Sequence, residues 1–97
     1  MASSPVAPAI RSLTVLFFAS AQDAVGGLSS LSLTLSSSSS TLPHLAELLA
    51  QKYPALGRVL RSSSWAVNEV MVGEEEVEGF KLKEGDVVAV LPPVSGG

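Results

Sequence analysis

Lys83-Glu84-Gly85-Asp86-Val87-Val88-Ala89-Val90-Leu91-Pro92-Pro93-Val94-Ser95-Gly96-Gly97 is the stretch on which the fold turns. Lys83–Asp86 reads as a turn, with Gly85 where a positive φ is cheap. Asp86–Leu91 is apolar on both faces, with Val88 and Val90 opposite Val87, Ala89 and Leu91, and reads as a strand. Pro92-Pro93 ends it, because proline has no N–H to give to a ladder. Gly96-Gly97 alone would say little, since frayed termini also close on glycine. Its setting says more: a closing strand, a diproline stop, then a short tail whose last two steps are the smallest available.

Working outward, Leu13-Thr14-Val15-Leu16-Phe17-Phe18 is a second apolar run with β-branched and aromatic members, again a strand. Ser20–Val25 forms a short helical turn stopped by Gly26-Gly27. Leu31–Leu35 alternates strictly with Ser32 and Thr34, as a half-buried strand hairpinned to the first would. Ser36–Ser40 has no apolar face and reads as a solvated connector. Thr41 then caps a helix with Pro43 in its first turn, and Leu42, Leu45, Ala46, Leu49 and Tyr53 make its apolar stripe. Pro54 stops that helix, and Pro54–Leu60 is a second short helical piece. Trp65–Asn68 and Val70–Val72 are short strands or one bent strand, turned at Gly73. The order predicts an α+β fold, a mixed sheet with one main helix packed across one face.

One helix covers one face, yet the opening and closing strands are apolar on both. The uncovered side is therefore expected to be an exposed apolar patch, the usual mark of a binding surface.

Composition bounds the rest. Ninety-seven residues make one domain, and 46% hydrophobic against 15% charged residues is enough to bury a core. The formal charge of −3 argues against a nucleic-acid binder. Absence of cysteine excludes disulfides, thiol catalysis and Cys-based metal sites. His44, the single histidine, sits in the first helical turn as a solvated residue and not as a catalyst. Trp65 is assigned to the core. Glu69, Glu74, Glu75, Glu76, Glu78, Glu84 and Asp86, against Lys81 and Lys83, make the last third acidic. That suits a solvated turn and can steer a basic partner, but the spacing specifies no metal site. Arg11, Leu13–Ala19 and Ala19-Ser20-Ala21 imitate a secretory signal, but cleavage there would remove the opening strand. The apolar run is too short to span a bilayer, so a cytoplasmic protein with no membrane partner is expected. Residues 1–11 read as a flexible lead-in, 12–92 as the domain and 93–97 as a flexible tail.

Val15-Leu16-Phe17-Phe18-Ala19 with Val25-Gly26, then Ala66-Val67-Asn68, and above all Leu82–Gly97 give this sequence a family likeness. It resembles the ThiS-like sulfur carriers, ubiquitin-like β-grasp proteins that include the small subunit of molybdopterin synthase. The resemblance covers residues 12–97; the serine run and the lead-in depart from it. It implies that the Gly97 carboxylate is the reacting group, adenylated from ATP by a ubiquitin-activating-type enzyme and then converted to a thiocarboxylate. The sulfur would go to cyclic pyranopterin monophosphate, forming the molybdopterin dithiolene. Pro92, Pro93, Val94, Ser95 and Gly96 would form the tail that threads the large catalytic subunit of a heterotetrameric synthase. Phe18 and Leu91 match family positions that face that subunit. No cofactor would be held permanently, ATP being consumed by the activating enzyme, and the chain would donate sulfur without a catalytic centre of its own. The alternatives are a carrier for thiamine thiazole or tRNA thiolation, and a modifier conjugated to proteins through the same terminus.

Overall fold

The computed structural model describes residues 10–93. Five strands form one mixed sheet: β1 (Ile10–Phe17), β2 (Ser30–Ser36), β3 (Ser64–Val67), β4 (Val70–Val72) and β5 (Val87–Leu91), in the order β2-β1-β5-β3-β4. β1 and β5 run parallel at the centre, and every other pairing is antiparallel. The helices are α1 (Ala19–Ala24), α2 (Leu42–Lys52), α3 (Pro54–Arg61) and the single turn α4 (Glu74–Val77). This is the ubiquitin-like β-grasp architecture.

Strand alternation decides which face is buried. Leu13, Val15 and Phe17 of β1, Val88 and Val90 of β5, and Trp65 and Val67 of β3 pack against Leu42, Leu45 and Leu49 of α2 and Leu56 and Leu60 of α3. Register lines these residues up. Phe17 pairs with Val90, Val90 with Trp65 and Trp65 with Val72, making one continuous apolar row across four strands. Thr41 caps α2, its Oγ1 accepting the His44 N–H at 3.3 Å, and Pro43 occupies the first turn. The α2 stripe is buried at Leu42, Leu45 and Leu49, whereas Ala46 is only half-buried.

Four expectations are corrected. The first strand starts at Ile10, not Leu13, because Ile10 and Arg11 pair with Ser36 and Leu35. Phe18 is not in that strand; it is the residue that caps α1. The turn after Trp65–Val67 falls at Asn68-Glu69 and not at Gly73, with φ of 52° and 72°, the positive pair of a type I′ hairpin turn. Ser36–Ser40 is folded, not a solvated spacer. Ser36 ends β2 and Ser37–Ser39 is a turn of 3-10 helix. Ser36 Oγ lies 3.1 Å from Ser38 Oγ and 2.9 Å from Ser39 Oγ. Ser40 is buried, with its carbonyl accepting the Leu82 N–H at 2.7 Å. Side-chain polarity suggested solvent, but backbone hydrogen bonds to residues 80–82 bury the run's last residue.

Among the described residues no helix is long and apolar enough to cross a membrane.

Candidate functional site

The sheet face away from the helices carries an open groove of about 770 Å³. Its floor is set by register. Leu16 pairs with Ala89, Ala89 with Ala66, and Ala66 with Met71, a row one residue out of phase with the buried Phe17–Val90–Trp65–Val72 row. Pleating sends adjacent rows to opposite faces, so this row must point away from the core. Two alanines lie at its centre and two long side chains at its ends, which makes the surface concave. Val87 and Leu91 extend the floor along β5, and Phe18 forms a wall.

Phe18 is held there by the start of α1. Its carbonyl accepts the N–H groups of Ala21 at 2.9 Å and Gln22 at 3.3 Å. The side chain stays 46% exposed, an unusual state for a phenylalanine in a soluble domain unless something covers it. Leu91, half-buried, is the last residue of β5 and lines the same groove. The two interface residues named from sequence are therefore brought together on one surface. Ala66 and Met71 were missed. The alternation of Trp65-Ala66-Val67 and Val70-Met71-Val72 would have placed them on the outer face once the Asn68-Glu69 turn was recognised.

Backbone conformation is unusual around this groove. Among the described residues, the three non-glycine positions with positive φ are Ala19, Asn68 and Glu69. Asn68 and Glu69 line the groove, and Ala19 follows Phe18 directly. Strained backbone concentrated at one surface is a pattern of functional sites. Glu69 is the one charged side chain in the lining, so the groove offers shape and apolar area in place of charge.

Pro92 follows Leu91 and is buried, fixing the root of the tail at the end of the groove, while Pro93 is exposed. Val94, Ser95, Gly96 and Gly97 lie outside the described residues, as do residues 1–9 of the expected lead-in. His44 is half-buried in the first turn of α2 and contributes nothing to the groove. Trp65 is in the core at 6% exposure. Glu74, Glu75, Glu76 and Glu78 are exposed, and no group of three or more His, Cys, Asp or Glu among the described residues could hold a metal ion.

Comparison with known proteins agrees with this arrangement. The profile of the ThiS family matches residues 15–97. The molybdopterin synthase sulfur carrier subunit of Mycosarcoma maydis is 38% identical over 88 residues, covering 89% of this chain and 94% of that protein. The protein of the same name from Chlamydomonas reinhardtii is 35% identical over 85 residues, covering 88% and 98%. Small archaeal modifier protein 1 from Methanosarcina acetivorans superposes with a TM-score of 0.71 at 27% identity, covering 92% of this chain and 99% of that one. A chain in the protein–protein complex of subunits 1 and 2 of the molybdopterin-converting factor from Helicobacter pylori superposes with a TM-score of 0.63 at 24% identity, covering 89% and 99%.

Proposed function

The chain belongs to the ThiS family, and from that premise we propose that it is the sulfur-carrier subunit of a molybdopterin synthase, with Gly97 as the carrying residue. The supporting observation is the continuity of groove and tail. β5 supplies Val87, Ala89 and Leu91 to the groove and passes directly into Pro92-Pro93. A large subunit seated on Phe18 and Leu91 would receive the tail at the edge of its own contact surface. Gly96 and Gly97 lack a Cβ, so they can enter a channel closed to larger residues.

The chemistry follows from the carboxylate. As an anion it is a poor electrophile. Attack of a Gly97 oxygen on the α-phosphorus of ATP releases pyrophosphate and leaves an acyl-adenylate, whose carbonyl is open to nucleophiles. Sulfur at the sulfide level, delivered by the activating enzyme, adds to that carbonyl and AMP departs. The resulting thiocarboxylate is a soft nucleophile tethered to a protein. Its sulfur attacks a side-chain carbon of the pterin precursor, whose oxygen substituent departs as the C–S bond forms. Water then cleaves the acyl–sulfur bond, leaving sulfur on the pterin and restoring the Gly97 carboxylate. A second loaded carrier supplies the second sulfur of the dithiolene. Groups that grip a phosphorylated pterin would come from the large subunit, since the groove here offers none.

The deciding experiment is an intact mass of the protein after incubation with an activating enzyme, ATP and a sulfur donor. One oxygen replaced by sulfur at Gly97, followed by its loss to the precursor in the presence of the large subunit, is expected. Sulfur that loads but never leaves for the precursor would refute the assignment to molybdopterin synthesis.

The likeness to small archaeal modifier protein 1 favours one second reading, conjugation of the whole chain to lysines through Gly97. Covalent adducts on partner proteins, in place of free sulfur transfer, would establish it.

A further inference from the structure

A second cavity, of about 440 Å³, lies at the opposite end of the sheet from the tail. Arg11, Lys81 and Lys83 converge on it together with the hydroxyl residues Ser37, Ser38 and Thr41, and no carboxylate lines it. Half of the six lysines and arginines of an acidic chain thus meet in one place. The neighbouring acids are turned elsewhere. Glu84 Oε1 accepts the Ser12 N–H at 2.7 Å, and Asp86 accepts from Asn68 Nδ2 at 2.9 Å and from the Lys83 N–H at 2.8 Å.

Arg11 supplies the independent sign. It continues the odd-numbered row of Leu13, Val15 and Phe17 that faces the core. Its Nε is buried and has no hydrogen-bond partner among the described residues. A buried guanidinium N–H without an acceptor is costly, and an oxyanion is the acceptor that suits it best. Thr41 Oγ1 accepts the His44 N–H, which leaves its own O–H free to donate. The folded serine run is what brings these hydroxyls to face the cations.

We propose that this cavity binds a phosphate-class oxyanion, either free phosphate or the phosphate of a mononucleotide. Arg11 and Thr41 fix its orientation by directed donors, and Lys81 and Lys83 supply charge. The site is separate from the sulfur chemistry: β1 and β5 run parallel with Phe17 beside Val90, so Arg11 and Leu91 are divided by about seven residues of strand, roughly 23 Å.

The test is a ¹H–¹⁵N titration of the full chain at fixed ionic strength, with inorganic phosphate in one arm and AMP in the other. Saturable shifts are expected at Arg11, including its Nε–H, at Ser37–Thr41 and at Lys81–Lys83. A tighter response to AMP identifies a nucleotide as the source; an equal response identifies phosphate itself. R11Q and K83Q should each weaken binding by roughly tenfold, the scale of one charge-assisted contact. K52Q, on a lysine outside the cavity, should leave it unchanged. K83Q alters an exposed side chain, so it tests the site even if R11Q fails to fold. Shifts that do not saturate, that chloride reproduces, or whose midpoint is unchanged in K83Q would overturn the proposal.

Discussion

Asn68 and Asp86 are joined side chain to side chain, Nδ2 donating to Oδ1 at 2.9 Å across eighteen residues of sequence. Asn68 also closes on β5 through its backbone. Its N–H donates to the Val87 carbonyl at 2.8 Å, while its Oδ1 accepts the Val87 N–H at 2.9 Å. Asp86 is 8% exposed and accepts the Lys83 N–H as well. One pair thus fixes the β3–β4 turn, the Lys83–Asp86 turn and the start of the strand that delivers the tail. D86A should lower stability by about 2–3 kcal/mol, the scale for hydrogen bonds to a charged group, and N68A by about 1–2 kcal/mol. Urea unfolding midpoints check both, and unchanged midpoints would show the clasp to be incidental.

Glu69 holds φ of 72° without the tolerance that an asparagine has for that region. Glycine there should relieve the strain. E69G is expected to raise stability by about 1 kcal/mol, read as an upward shift in melting temperature. Destabilisation instead would mean that the glutamate side chain contributes contacts that outweigh the backbone cost.

Leu91 and Phe18 belong to the groove and not to the core. L91D and F18D should therefore remain folded and monomeric by circular dichroism and sedimentation. In a complex each would bury a carboxylate without a partner, at a cost of several kcal/mol, so association with the large subunit should be lost. A bulkier floor makes a second test free of charge: A89L should keep its melting temperature yet bind more weakly, because it fills the concavity. If the charged variants unfold, or A89L binds normally, the interface lies elsewhere.

The carboxyl terminus gives a prediction of the opposite kind. Removing Gly97, or adding one residue after it, should abolish sulfur loading while the unfolding midpoint stays put. Under the proposed function this terminus is the reacting group, and it lies outside the buried core that sets the unfolding midpoint. Loading of a chain that ends at Gly96 would remove Gly97 from the mechanism.

The serine run tests a distinction between loop length and loop structure. Closure entropy alone makes shortening nearly neutral. Deleting Ser40, however, removes the carbonyl that receives the Leu82 N–H and shifts Thr41 out of its cap. A loss of about 2 kcal/mol is expected from the two together. S38G, at an exposed position, should cost much less. Equal effects from the two changes would mean that the run is a spacer after all.

The amino-acid sequence by itself determined what depends on neighbours along the chain. Thr41 with Pro43 starts α2, Gly26-Gly27 stops α1, Leu31–Leu35 alternates as a hairpin partner, and Pro92 closes β5, because caps, breakers and pleat periodicity act within a few residues. Phe18 and Leu91 are singled out by the family likeness; the local pattern itself shows only that two strands apolar on both faces cannot both be covered by a single helical layer. Only the tertiary structure decided which row faces outward, because that rests on a register joining β1, β5, β3 and β4 across distances the local pattern does not encode. The same holds for Ser36–Ser40, polar in every residue yet folded, its last residue buried where the Ser40 carbonyl accepts an N–H from a segment forty residues away. It holds again for Arg11, which along the sequence counts only as the basic flank of a signal-like run. Its meaning comes from Lys81, Lys83 and the serine run, which reach it only when the sheet closes and leave its buried Nε without an acceptor among the described residues.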